Sequence, residues 1–229
     1  MKKIVLPYYK QKNADNCGPA AISMAVEAIG ITIDQSDITD VILKKNNSSG
    51  LKNSFFQDMC GYLKDQGLNP LYVGGLSDEL AWKLLRTYTR KNIPVIVLQR
   101  YSTTHSRSHF RVITGQQYNE KMVQHRIFYH DPVDGPNQIM VKNDFFNLWH
   151  PTKGSDQLRP NELLIIQKNP FTIPENQCNF CKSKSIIINQ LDLPNVPPAY
   201  SYVNPETQIK STCIQFDCRD CRVSYMVTK

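Results

Sequence analysis

Apolar residues recur at helical spacing through roughly the first ninety positions and at strand spacing after that. Residues 18–30 place Ala21, Met24, Ala25, Ala28 and Ile29 at i, i+3, i+4 intervals. Ile22 and Val26 are apolar too, so this helix is greasy nearly all round and is expected to be buried on most sides. Pro19 suits its first turn and Gly30 its end. A second helix is predicted after Ser36, with Ile38, Val41 and Ile42 on one face. A third runs over 54–66, lined by Phe55, Phe56, Met59, Cys60 and Leu63 and stopped by Gly67. Leu71-Tyr-Val reads as a short strand, and Ser77 caps a helix carrying Leu80, Leu84, Leu85 and Tyr88.

Near residue 93 the style changes. Pro94-Val-Ile-Val-Leu98 is a β-branched run, hence a buried strand. Ser108 to Thr114 and Arg126 to His130 are further strands, and the polar stretch 115–125 reads as the hairpin loop between them. Asp131-Pro-Val-Asp-Gly-Pro136 is a turn cluster, and 139–141 and 162–166 are strand candidates. Helices first and strands second favour an α+β domain with segregated layers over an alternating sheet.

The segment 169–177 has two prolines and no periodicity, and reads as a linker. The predicted organisation is therefore a domain over 1–168, the linker, and a small module over 178–229. At 41% apolar and 21% charged the chain can build a core and is not expected to be disordered. The net charge of +7 is compatible with acidic partners, but no dense Lys/Arg block stands out, so it reads first as a solvated basic surface. No apolar stretch approaches the roughly 20 residues that span a bilayer. Met1-Lys-Lys-Ile-Val-Leu-Pro7 offers too short an apolar run for a signal peptide. The expected location is the cytoplasm, or outside it by a route that leaves no readable N-terminal signal.

Cys17 carries the candidate chemistry. It precedes a buried helix, whose N-terminal N–H groups and partial positive charge favour an anion there, and only a thiolate attacks a carbonyl well. Acyl transfer also needs a base, and His109 opens the strand His-Phe-Arg-Val-Ile-Thr-Gly115. Alternation places His109, Arg111 and Ile113 on one face. Asp131 ends the next strand of the hairpin and can orient the imidazole, while His130 points to the opposite face. Asp134 is the second candidate for that acid. The backbone N–H of Cys17 and the side-chain amide of Gln11, six residues upstream, are the candidate oxyanion donors. Gly18, whose missing side chain lets a substrate backbone approach, and Ser108, beside the base, are the candidate substrate contacts. Cys60 lies on an apolar helix face and reads as core. His105 and His125 fall in polar loops, and His150 has no evident partner.

Gln-x5-Cys-Gly-Pro-Ala, then His-Phe-x-Val-Ile-x-Gly, then Asp-Pro-x-x-Gly resembles, in that order, the C39 family of papain-like cysteine peptidases. The resemblance covers roughly residues 5–168. It implies a papain-like fold, a protein or peptide substrate, Cys17 as nucleophile, His109 as base, Asp131 as orienting carboxylate and Gln11 as oxyanion donor. C39-like domains also occur as exported effector proteases or deubiquitinases, and an amine in place of water would make the same site a transamidase. The rival reading from another class is a non-catalytic binding module.

Seven cysteines are present, and Cys178-Asn-Phe-Cys181 and Cys218-Arg-Asp-Cys221 are two Cys-x-x-Cys pairs. Four thiolates satisfy one tetrahedral Zn²⁺ in a closed, structural site. Strands near 185–188 and 212–216 can bring the pairs together as a zinc ribbon, one Zn²⁺ per chain, with a redox pair or two disulfides as alternatives. A module of about 50 residues has little core of its own, so metal binding would supply folding energy. Cys213 is left over. Lys182, Lys184, Arg219 and Arg222 lie near the pairs without an aromatic stacking pattern, so nucleic acid is not the expected partner. Catalysis itself needs no cofactor.

Overall fold

The computed structural model describes residues 3–47, 54–104, 107–119, 123–150, 161–169, 186–191, 213–218 and 224–228. Three helices come first, α1 (Cys17–Glu27), α2 (Gln35–Asn47) and α3 (Phe56–Asp65). Strand β1 (Asn69–Gly74) and helix α4 (Asp78–Arg90) follow. Then come β2 (Val95–Arg100), β3 (Ser108–Asn119), β4 (Gln124–Asp131), β5 (Gly135–Val141), α5 (Lys142–Trp149) and β6 (Leu163–Gln167). The C-terminal strands are β7 (Ile186–Leu191), β8 (Cys213–Cys218) and β9 (Ser224–Thr228). Among the described residues no helix is long and apolar enough to cross a membrane.

The strands form one antiparallel sheet in the order β5-β4-β3-β2-β6-β1-β9-β8-β7. The period-2 alternation of its apolar strands explains why it is covered twice. Tyr72, Ile96, Val112, Leu164 and Ile166 face α1, α2 and α3 and join Ile22, Met24, Ile38, Met59 and Leu63 in one core. Leu71, Val73, Val95, Val97, Leu163 and Ile165 face the other way, against Ala81 and Leu85 of α4 and Phe145, Phe146 and Trp149 of α5. The α+β class expected from the sequence holds, but the helices are not confined to one layer.

Two elements differ from the sequence expectation. The stretch 115–125 is largely ladder: β3 and β4 stay paired out to Asn119↔Gln124. Helix α5 was not predicted, because Asn, Asp and two Phe are indifferent helix formers. Its burial of Phe145, Phe146, Leu148 and Trp149 outweighs that propensity. Cys60 is 1% exposed and belongs to the core, as expected.

The C-terminal strands continue the sheet. β9 pairs with β1 from Leu71↔Val227 to Gly74↔Ser224, and β7, β8 and β9 pair in sequence. The proposed linker 169–177 and Cys178, Cys181 and Cys221 lie outside the described residues, apart from Asn169.

Candidate active site

Cys17 is the first residue of α1, and it is partly buried and a free thiol. The side chain of Asn16, at the N-cap, does not cap the helix; its amide donates instead to Thr39 Oγ1 on α2 at 3.0 Å. The opening N–H groups of α1 are thus not taken up by the usual cap. Gly18 is buried, and a Cβ there would meet Met59 Cε at 2.7 Å and Ser54 Cβ at 2.8 Å. Its missing side chain therefore serves the packing of α1 against the start of α3.

His109 enters from β3 and is 4% exposed. Its Nε2 lies 2.7 Å from Asp131 Oδ1. A carboxylate can only accept, so Nε2 carries the proton and Nδ1 is the nitrogen left for the hydrogen bond with Cys17. Burial pushes the imidazole towards neutrality, but the hydrogen bonds to Asp131 and Cys17 and their negative charge outweigh it, and the pKa is raised above 6.5.

Asp131 is 1% exposed and fully engaged. Oδ1 accepts from His109 and from the backbone N–H groups of Val133 at 2.9 Å and Asp134 at 3.2 Å. This is why Asp-Pro-x-x-Gly suits the position: the aspartate closes the turn that follows it. Gly135 completes that turn at φ +118, where a side chain is disfavoured. Oδ2 accepts from Arg111 Nε at 2.8 Å. Burial pushes the carboxyl up, but the His109 hydrogen bond and the charges of His109 and Arg111 prevail and hold it down at about 2.

A carboxylate lowered from 3.8 to about 2 contributes stability that is present above pH 3.8 and lost as pH falls through about 2. Its size is on the order of 2 kcal/mol. The raised His109 contributes below about pH 6.5 and loses that contribution as pH rises through its folded value. Urea midpoints of the wild type should therefore drop between about pH 4 and about pH 2 by more than those of Asp131→Asn.

Gln11 sits beside this turn, its backbone N–H bonded to Pro132 O at 3.0 Å. Its Nε2 donates to Asn13 O at 2.8 Å, which uses one of two amide protons. Ser108 is half-buried and pairs with Arg100 where the β2–β3 ladder ends. Asp134 does not face the imidazole; its Oδ1 accepts from Tyr101 Oη at 3.2 Å. The Tyr101 ring stands edge-on to His109, centroids 5.1 Å apart. Arg107 donates to Ala14 O at 3.1 Å and to the Asp15 carboxylate, tying the β2–β3 connection to the loop before Cys17.

The structure thus brings Cys17, His109 and Asp131 together, with Gln11 close by in the chain path. The sequence profile of the Peptidase C39-like family matches residues 3–157. The chain belongs to the C39-like peptidase family. Two of the solved structures similar to this C39-like peptidase share its fold. The peptidase domain of Streptococcus ComA, a bifunctional ABC transporter in a quorum-sensing pathway, is 15% identical at a TM-score of 0.51, covering 72% of this chain and 99% of that one. A C39-like peptidase from Bacillus anthracis is 13% identical at 0.50, covering 74% and 99%. A double-glycine-motif protease from an AMS/PCAT transporter, solved with its leader peptide, is 16% identical at 0.46, covering 72% and 92%. No curated protein sequence matches the chain.

The other histidines are accounted for differently. His130 faces away, as alternation required. Its Nδ1 accepts from Asn137 N–H at 3.0 Å, so Nε2 donates to Leu6 O at 3.3 Å, and burial lowers its pKa. His150 pairs with Asp78 at the start of α4 at 2.7 Å. His125 is exposed but touches the Trp82 and Tyr118 rings. His105 lies outside the described residues. The residue that sequence reasoning missed is Arg111, although an arginine at the centre of an apolar strand was a visible signal.

Among the described residues no cluster of three or more His, Cys, Asp or Glu could hold a metal. Of the four proposed zinc ligands only Cys218 falls in a described strand, where its backbone pairs with Ile186.

Proposed function

We propose that this chain is a cysteine peptidase that cleaves an amide bond through a thioester on Cys17. The observation that supports this best is the contact of Cys17 with His109 and of His109 with the buried Asp131, whose Oδ1 lies 2.7 Å from the imidazole. In this reading His109 takes the thiol proton through Nδ1, and the thiolate attacks the substrate carbonyl. The tetrahedral oxyanion receives the Cys17 N–H and the second amide proton of Gln11. His109 then protonates the leaving amine, and water, activated by the same imidazole, hydrolyses the thioester. Ser108, the first residue of β3 and next to His109, and Gly18, next to the nucleophile, are the substrate contacts of this reading. The substrate class is a protein or peptide. Profiling by mass spectrometry against a diverse peptide mixture tests this. Cleavage products should form with the wild type and be absent with Cys17→Ala; identical peptide patterns for both would remove the peptidase reading.

The four cysteines Cys178, Cys181, Cys218 and Cys221 fit one structural Zn²⁺ as a donor set. The register adds support: Ile186, which follows Cys181 by five positions in sequence, pairs with Cys218 at one end of the β7–β8 ladder. When bound, zinc would cross-link that end and contribute to folding, with no part in the chemistry at Cys17. Metal analysis of purified protein should find about one zinc per chain. Double replacement Cys218→Ser and Cys221→Ser should abolish it; unchanged zinc in that variant would contradict the assignment.

A further inference from the structure

Arg111 lies in the first half of β3, between Phe110 and Val112, and is 3% exposed. A guanidinium removed from water there must be paired and hydrogen-bonded. Its donors spread over four acceptors: Nε to Asp131 Oδ2 at 2.8 Å, Nη1 to Gln99 Oε1 at 3.2 Å and Arg100 O at 3.1 Å, and Nη2 to Tyr101 O at 3.0 Å. Gln99 is itself 1% exposed and anchored by its amide to Phe145 O on α5 at 2.9 Å. One planar fork therefore fixes two groups that touch the imidazole: the carboxylate on Nε2, and the backbone of the tyrosine whose ring packs against it.

We infer that Arg111 is a positioning residue of the site, holding the Asp131 carboxylate as an anion in one orientation against His109 Nε2. The inference rests on the reading of Cys17, His109 and Asp131 as the catalytic relay. A purely structural ion pair could be exchanged for apolar packing at little cost. Here Asp131 is retained for His109, so removing Arg111 leaves Oδ2 buried without its donor. Lysine restores the charge but not a flat fork reaching four acceptors.

The titratable and charged groups around Asp131 and His109 are Arg111 on β3, Cys17 on α1, Tyr8 on the N-terminal segment, Tyr101 after β2 and Tyr129 on β4, while the Asp134 carboxylate is turned to Tyr101. Burial, and then the nearby carboxylates, push the three tyrosines further up, so they stay neutral in the assay range. Without Arg111, burial of Asp131 is less opposed. Its proton is held to higher pH, and a protonated Asp131 no longer supports the imidazolium.

The experiment follows iodoacetamide alkylation of Cys17 in the full chain by peptide mapping, from about pH 4 to about pH 9. Wild type, Arg111→Met, Arg111→Lys and His109→Ala are compared, with a thermal melt of each. Arg111→Met should label roughly 10- to 100-fold more slowly at neutral pH, with the acid limb moved up by about one pH unit or more. Arg111→Lys should recover the acid limb but only part of the rate. Should Arg111→Met fail to fold, Arg111→Gln reads the same loss of charge while keeping an amide donor in the site. A folded uncharged variant with the wild-type rate and profile overturns the positioning role. A wild type that labels no faster than His109→Ala overturns the catalytic reading, and this inference with it.

Discussion

His109→Ala should slow acylation of Cys17 by about 10²- to 10⁴-fold, the usual contribution of a positioned general base. The variant leaves the nucleophile at the start of α1, so any residual rate reports what the helix terminus does without a base. It also leaves Arg111 bonded to Asp131 Oδ2, so the buried charge pair survives. The fold should therefore hold, with a moderate loss from the cavity left by a side chain only 4% exposed. Acyl transfer to Cys17 from an activated ester, followed beside a thermal melt, separates the two effects. A rate within a few-fold of wild type in a folded variant would show that Cys17 acts without His109.

Asp131→Asn should lose both activity and stability. Activity falls by about 10²- to 10⁴-fold, because an amide neither stabilises the imidazolium nor dictates which ring nitrogen carries the proton. Stability falls by about 3–5 kcal/mol, because Arg111 is left buried without a counterion. No orientation of the amide escapes the conflict. With its NH₂ at the Oδ2 position it meets Arg111 Nε–H at a site built for 2.8 Å. At the Oδ1 position it meets His109 Nε2 and the N–H groups of Val133 and Asp134. Urea unfolding at neutral pH measures the second effect independently of the first. A variant as stable as wild type would mean that the Arg111–Asp131 pair does not carry the load assigned to it.

The grouping of Cys17, His109 and Asp131 was legible in the sequence because each is marked by local physics. Pro19 and the apolar helix that follows place Cys17 at a helix start. Strand alternation separates Asp131 from His130, and the structure keeps them apart. The turn chemistry of Asp131-Pro-Val-Asp-Gly135 reappears as two N–H bonds to one carboxylate oxygen. What escaped depended on tertiary contact. Helix α5 exists because Phe145 and Trp149 find the second face of the sheet, not because of its propensity. The packing role of Gly18 was hidden, because its close neighbours Ser54 and Met59 lie more than thirty residues away in sequence. Arg111 was read only as a strand residue on the face of His109. Its meaning depends on Gln99, Arg100 and Tyr101, which local pattern cannot bring opposite it.

In the proposed reaction Cys17 forms an acyl intermediate with the help of His109. Reaction with an N-acetyl amino-acid p-nitrophenyl ester, followed by stopped-flow absorbance and peptide mapping of quenched samples, tests it most directly. A burst of about one equivalent of p-nitrophenolate is expected, with the acyl mass on Cys17, decaying by hydrolysis. Both burst and adduct should be absent in Cys17→Ala and severely slowed in His109→Ala. No burst in the wild type, or an acyl group carried by another side chain, would contradict it.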